Sequence, residues 1–216
     1  MIVKQNIFLS PNTNRWIRSL DHKSRVRFDK LLLEIKADLE KFEPGIDRTT
    51  AAYHLHSYFL EHKKNSMKET TCKKGCSHCC YIHTAVRKSE GVMIAEYVKS
   101  EDLKIDKARL AIQAEKKIID EFDKLPNPMK RCVFLGADNT CKIYSIRPMV
   151  CRNFYVVSNP KLCNTKVHPG GIVAVLNVPE FVAVEIAFSL CEGEQDTTRD
   201  YPLSLAEALV DNGVLN

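Results

Sequence analysis

Four thiols fall within nine residues in the stretch Cys72-Lys-Lys-Gly-Cys76-Ser-His-Cys79-Cys80. A second set follows at Cys132, Cys141, Cys151 and Cys163, so eight of the nine cysteines lie between positions 72 and 163 and only Cys191 stands apart. Such spacing limits what the thiols can do. The segment Met1 to Leu20 mixes Lys4, Asn6, Asn12, Arg15 and Arg18 into its apolar residues and lacks the continuous apolar stretch of a signal peptide. The expected location is therefore the cytoplasm, where structural disulfides are rare and clustered cysteines bind metal or do redox work. The odd count and the tight gaps point the same way, to metal first and to a redox-active dithiol as the alternative.

No run of about 18 apolar residues occurs, so no membrane span is expected. Hydrophobic content of 44% suffices for a core. At 216 residues the chain is expected to form one domain. Within it, a helical N-terminal region at 15–66 and C-terminal helices at 179–212 flank a cysteine-rich core at about 72–163. The net charge of +5 is uneven: from Gly171 onward eight acids face Arg199 alone. The positive first part has no dense Lys/Arg stripe with interleaved aromatics, so its lysines read as a solvated face and not as a nucleic-acid surface. The partner, protein or small molecule, is left open.

Periodicity predicts mostly helix. Phe28, Leu31, Leu32, Ile35, Leu39 and Phe42 recur every three or four residues, giving a helix over 24–42 with Ser24 as its cap. Asp47 is expected to cap a second helix to Lys64, with Ala52, Leu55, Phe59 and Tyr58 as its apolar stripe. His54 and His56 lie two apart and so point away from each other, which argues against a shared ion. Ser89-Glu90 opens a helix to Ser100, slightly weakened by Gly91. One further helix is expected from Asp102 to Leu125, closed by Pro126 and Pro128. Tyr81 to Val86 and Ile172 to Val178 are candidates for a short β element, the latter also for a buried helix. Pro179 starts an apolar helix ending near Cys191, and Ser204 to Val210 forms the last. From Arg131 to Cys163 the periodicity fails, and short apolar pieces alternate with Gly136, Pro148 and Pro160. Metal ligation can hold such a stretch where hydrophobic burial does not.

Four thiolates hold either tetrahedral zinc or an iron–sulfur cluster. Gaps of two and three residues let a tight turn aim successive sulfurs at one centre, and Gly75 permits that turn. The adjacent Cys79 and Cys80 are expected to diverge, so they serve two centres, or one ligates while the other hydrogen-bonds or stays free. His78 and His83 are alternative ligands. The candidate ligands are thus Cys72, Cys76, Cys79, Cys80, Cys132, Cys141, Cys151 and Cys163. A four-thiolate site is anionic, and Lys142, Arg147 and Arg152 lie close in sequence to offset that charge. Alternatively, Arg147 or Arg152 grips an anionic substrate.

These residues carry a resemblance. Cys72-x3-Cys76-x2-Cys79-Cys80, Cys132-Val-Phe-Leu, and Cys141-Lys-Ile-Tyr144-Ser-Ile-Arg147-Pro148-x2-Cys151-Arg152 resemble the YkgJ-like cysteine-cluster proteins, a zinc- or iron-chelating domain of the CxxCxxCC type. The likeness covers roughly 72–155, with Val133 where the family usually has proline. It implies a metal-binding role. The flagellin lysine methylases share a similar cysteine pattern with an iron–sulfur cluster, but they are longer. The C-x3-C-x2-C of radical S-adenosylmethionine enzymes is also present, without the β/α alternation that those enzymes need. No Walker loop, GxGxxG, His-Glu-x-x-His or recognisable catalytic triad occurs.

The expected protein is mainly α, with irregular cysteine-rich loops holding an iron–sulfur centre, 4Fe-4S in type, or zinc. Two further possibilities are a cluster-dependent transferase, such as a protein lysine N-methylase, and a zinc-stapled interaction module.

Overall fold

The computed structural model describes residues 11–73, 75–164, 166–168, 173–192 and 202–215. Ten α-helices form among them: α1 (Pro11–Ser19), α2 (His22–Leu39), α3 (Ile46–His62), α4 (Lys88–Ser100), α5 (Lys107–Ala114), α6 (Ile119–Asp123), α7 (Asn127–Lys130), α8 (Met149–Asn153), α9 (Pro179–Cys191) and α10 (Leu205–Asp211). The protein is mainly helical, as its periodicity implies. The chain forms two compact units, residues 1–69 with 177–202 and residues 70–176 with 203–216. The two C-terminal helices therefore part company: α9 belongs to the first unit and α10 to the second.

In the first unit α2 and α3 pack on α9. Every residue of α9 from Phe181 to Phe188 is buried, as expected of a helix that is apolar on all sides. The buried face of α2 is Phe28, Leu32, Ile35 and Leu39, while Phe42 lies exposed beyond the helix end. The cap of α2 is Asp21, whose carboxylate accepts from the Ser24 N–H at 2.8 Å; Ser24 is one turn inside. The α3 face also differs from the expected stripe. Thr49, Ala52, Tyr53 and His56 are buried and Tyr58 is exposed, because α3 turns a mixed face towards α9 and stacks His56 on Phe181 at 4.6 Å. Gly45, at φ +97°, occupies the cap position, and Asp47 falls in the first turn. Arg48 gathers the loose helix ends: its guanidinium donates to Leu39 O at 3.2 Å, Phe42 O at 2.8 Å and Cys191 O at 2.6 Å. Carbonyls at and beyond a helix end lack the next turn's N–H groups, although Leu39 O also accepts the Phe42 N–H at 3.2 Å.

In the second unit α4 crosses α10 closely. A Cβ added to Gly91 would meet the Ala208 Cβ at 2.6 Å, so the glycine that weakens the helix by propensity is what allows the crossing. The long helix expected over 102–125 is broken. Asp106 caps α5 through the Arg109 N–H at 2.9 Å. The chain turns after Ala114, and a separate α6 starts after Ile118, its Glu121 carboxylate accepting from the Lys117 N–H at 3.3 Å. The break lets Leu110 and Phe122 both reach the interior, at the expense of Ile118 and Ile119, which are exposed. Pro126 precedes one more helical turn, α7, and so does not end helical structure there.

Among the described residues no β-strand forms. The candidate β segments make only isolated bridges, Ala85 with Ser204 and Val156 with Val175, and a third joins Leu135 to Cys141. Ile172 lies outside the described residues. The Val156 segment is cut short by α8 on one side and Pro160 on the other, leaving it no length to extend a ladder.

Candidate metal centre

All eight clustered cysteines belong to the second unit. Each is placed by a local turn. Thr71 pairs with Val156, its N–H donating to Val156 O at 2.8 Å, and the Val156 N–H in return donates to Cys72 Sγ at 3.3 Å. Gly75 adopts φ +85°, and Cys76 N closes the turn on Lys73 O at 2.9 Å. Cys79 and Cys80 ride on a 3₁₀ turn, His78–Tyr81. Cys163 ends another, Pro160–Cys163, capped by the Asn159 side chain.

The second set is built around a tight reversal. Gly136 N donates to Thr140 O at 2.8 Å, and Lys142 N to Phe134 O at 2.8 Å, which brings Cys132 beside Cys141. Asn139 tolerates φ +61° at the tip. The Phe134 N–H faces the Cys132 thiol and the Ile143 N–H faces the Cys141 thiol. The same relation, sulfur to the amide two residues on, therefore occurs at both ends of the reversal. Both cysteines pack on the core around Phe134 and Ile143. Cys151 sits on α8, and α8 is held by Glu90, which is fully buried. One Glu90 oxygen accepts the Met149 N–H at 2.7 Å and the other the Arg87 N–H at 2.9 Å.

The two sets meet at a single backbone bond, Cys132 N to Cys80 O at 2.7 Å. Through space the sulfurs group around Cys79. Cys72, Cys76 and Cys163 bear electrostatically on one another, as do Cys132, Cys141 and Cys151, and Cys79 bears on both groups. On the 3₁₀ turn the neighbouring Cys80 thiol acts on Cys79 as a hydrogen-bond partner. That bond, and then burial, holds the Cys79 proton far above the ordinary thiol range. Burial pushes Cys132 and Cys163 up to about 11 and Cys151 well up. Thiols in this setting ionise only when a cation supplies the compensating charge, and a coordinating metal does so outright. Among the described residues no three cysteine, histidine or acidic side chains close tightly around one ion-sized point, and none of the described cysteines is in a disulfide.

The cations that flank the second set fare differently. Arg147 lies 3.9 Å over the Tyr144 ring, with Tyr155 Oη at 3.4 Å, and its charge bears on Cys72, Cys79, Cys141 and Cys151. Its Nε–H is buried without an acceptor. A buried donor left unmade is costly, and one placed among thiols suits an anionic sulfur acceptor. Arg152 instead donates to the carbonyls of Arg147, at 3.0 Å, and Ser145, bracing the turn that carries Arg147. Lys142 reaches Lys104 O, on the surface. His83 sets its ring edge-on to Phe122 at 5.5 Å, and burial holds its pKa below the usual range. Cys191 lies in the other unit, with Sγ 3.5 Å from Lys36 O.

Glu90 is the positioning residue that sequence reasoning assigned only to a helix start. Its second role, clamping Met149, joins residues 59 positions apart, and no local pattern announces that.

No curated protein and no solved structure matches the chain significantly. A family model does match residues 71–168, and its description reads "CxxCxxCC: Putative zinc- or iron-chelating domain". The match begins one residue before Cys72 and ends five after Cys163, enclosing both sulfur groups, Arg147 and the Cys79–Cys80 turn. Residues 71–168 are thus similar to the CxxCxxCC family of zinc- or iron-chelating domains.

Proposed function

We propose that the second unit is built to hold an iron–sulfur centre on its cysteine thiolates. The observation that carries the reading is the grouping of sulfurs around Cys79. Cys72 and Cys163, and on the other side Cys132, Cys141 and Cys151, all lie within electrostatic reach of Cys79, next to Cys80 on the same turn. Eight thiols exceed what one zinc ion or one iron–sulfur cluster takes, since each is held by four ligands. Backbone donors on Cys72, Cys132 and Cys141, with the uncommitted Arg147 Nε–H, suit a polysulfide anion, whose potential is set by hydrogen bonds to sulfur and by net charge. Two four-thiolate sites, each taking one of Cys79 and Cys80, also use the full set. In either arrangement the metal fixes loops that have few other means of holding their shape. An iron–sulfur centre supplies electron transfer or Lewis acidity; what the chain itself contributes is the sulfur geometry, the Arg147 charge and burial.

The test is elemental analysis and a visible spectrum on protein purified without oxygen. Iron with acid-labile sulfide in comparable amounts, and a broad visible absorption, supports the cluster. Colourless protein with one or two zinc ions per chain replaces it with a zinc staple. Protein free of either metal after folding in their presence ends the reading.

A further inference from the structure

We infer that the outer face of α2 docks a second copy of this chain, with the two α2 helices antiparallel. Successive residues of a helix are turned by roughly 100°. Phe28, Leu32, Ile35 and Leu39 are the buried face of α2. By the same rotation Val26, Leu33 and Ala37 fall on one line along the opposite face, and all three are exposed. Val26 keeps 55% of its surface and Leu33 49%. The exposed Lys30 lies between them, and its aliphatic stem continues the seam.

The charges beside the seam select the occupant. On one flank stand Lys23, Arg27 and Lys30 in the first half of the helix and Glu34 and Asp38 in the second, all exposed. A helix dipole favours acids at the start and bases at the end, so this order does not serve α2 itself. It does serve an antiparallel partner. A two-fold axis passing between Lys30 and Leu33 sets Val26 against the partner's Ala37 and turns like flanks towards each other. Arg27 then stands within a turn of the partner's Glu34 and Asp38, and Lys30 within a turn of the partner's Glu34. Within one chain Lys30 already lies 3.8 Å from Glu34 and Lys41 2.6 Å from Asp38, whereas Arg27 joins no ion pair among the described residues. A helix about 27 Å long covers less than the roughly 800 Å² per partner of a stable interface. The dimer is therefore weak, and salt loosens it.

Sedimentation velocity over a concentration series reads the association, on the full-length protein as purified. Dimer should form as concentration rises and dissociate as salt is added. Leu33→Glu sets a charge in the middle of the seam at a half-exposed position, and should weaken association about tenfold or more. Arg27→Glu and Glu34→Arg each place like charges opposite one another, so each variant alone should stay monomeric. Mixed in equal amounts the two should dimerise, because each altered side chain then meets its opposite on the other chain. Recovery on mixing also shows that both variants are folded. A protein that stays monomeric to millimolar concentration overturns the inference, whatever else covers the face. So does a dimer that survives Leu33→Glu, whose interface lies elsewhere, and so does a mixture that does not recover, which excludes the antiparallel register.

Discussion

The two units solve the same problem by different chemistry. In the first, α9 is buried from Phe181 to Phe188 and α2 lays Phe28, Leu32, Ile35 and Leu39 towards the same core. Regular helices make their own backbone bonds, so apolar burial and one arginine at the helix ends suffice. The second unit has an apolar core too, around Ile94, Phe134 and Leu209. Its segment from Arg131 to Cys163 nevertheless contains only one helix, of five residues, and two 3₁₀ turns. There the backbone is held by separate devices: Gln113 donating to Met129 O and Arg131 O, Glu90 clamping Met149, and Thr71 pairing with Val156. Helix packing tolerates loss of one contact gradually. A set of single clamps around sulfur does not, and metal ligation is what would bind them into one cooperative structure.

The sharpest way to break this comparison is to remove a sulfur. Cys151→Ser should strip most of the metal and unfold the cysteine-rich unit, because a thiolate site carries on the order of 10 kcal/mol of binding free energy. Amide exchange by mass spectrometry should show protection lost over 70–176 and retained over α2, α3 and α9. Full metal content in the variant would remove Cys151 from the ligand set. A smaller effect of the opposite pattern is expected for Phe188→Ala. Phe188 has no exposed surface, and truncating a fully buried phenylalanine costs about 4 kcal/mol. The first unit should lose stability while metal content and the visible spectrum hold; loss of metal would show that the units do not divide the work in this way.

The smallest effect concerns Asp21, which caps α2 from the surface. Its carboxylate accepts from the Ser24 N–H, which holds its pKa below the ordinary 3.8. The folded state therefore binds the proton less readily than the unfolded chain. The cap's contribution is present above 3.8 and is lost as pH falls through the lower folded value. Asp21→Ala should lower the melting temperature slightly at neutral pH, and the gap between variant and parent should close in acid. A gap independent of pH would mean that the carboxylate charge plays no part.

Much of this was legible beforehand where a residue's role is local. The α2 stripe, the start of α9 at Pro179 and the last helix from about Ser204 follow from spacing and local signals, and each element begins or ends within about two residues of the expectation. The turn at Gly75 follows from the glycine. Readings failed where packing overrode periodicity. Apolar residues from Leu110 to Phe122 fit one helix, yet the interior takes Leu110 and Phe122 and leaves Ile118 and Ile119 outside. Gly91 reads as a weakness until Ala208 is seen against it.

The sequence by itself determined the chemistry: which side chains bear sulfur, how closely they follow one another, and that the region between them lacks the pattern of a regular element. Those properties are covalent or local, fixed by residue identity and by neighbours within a turn. Only the tertiary structure decided which sulfurs face which, that Arg147 lies among them while Arg152 braces its turn, and that Glu90 holds the helix carrying Cys151. All but the Arg152 brace join residues tens of positions apart. They are set by how whole elements pack, a balance of many weak contacts that no short stretch of sequence records.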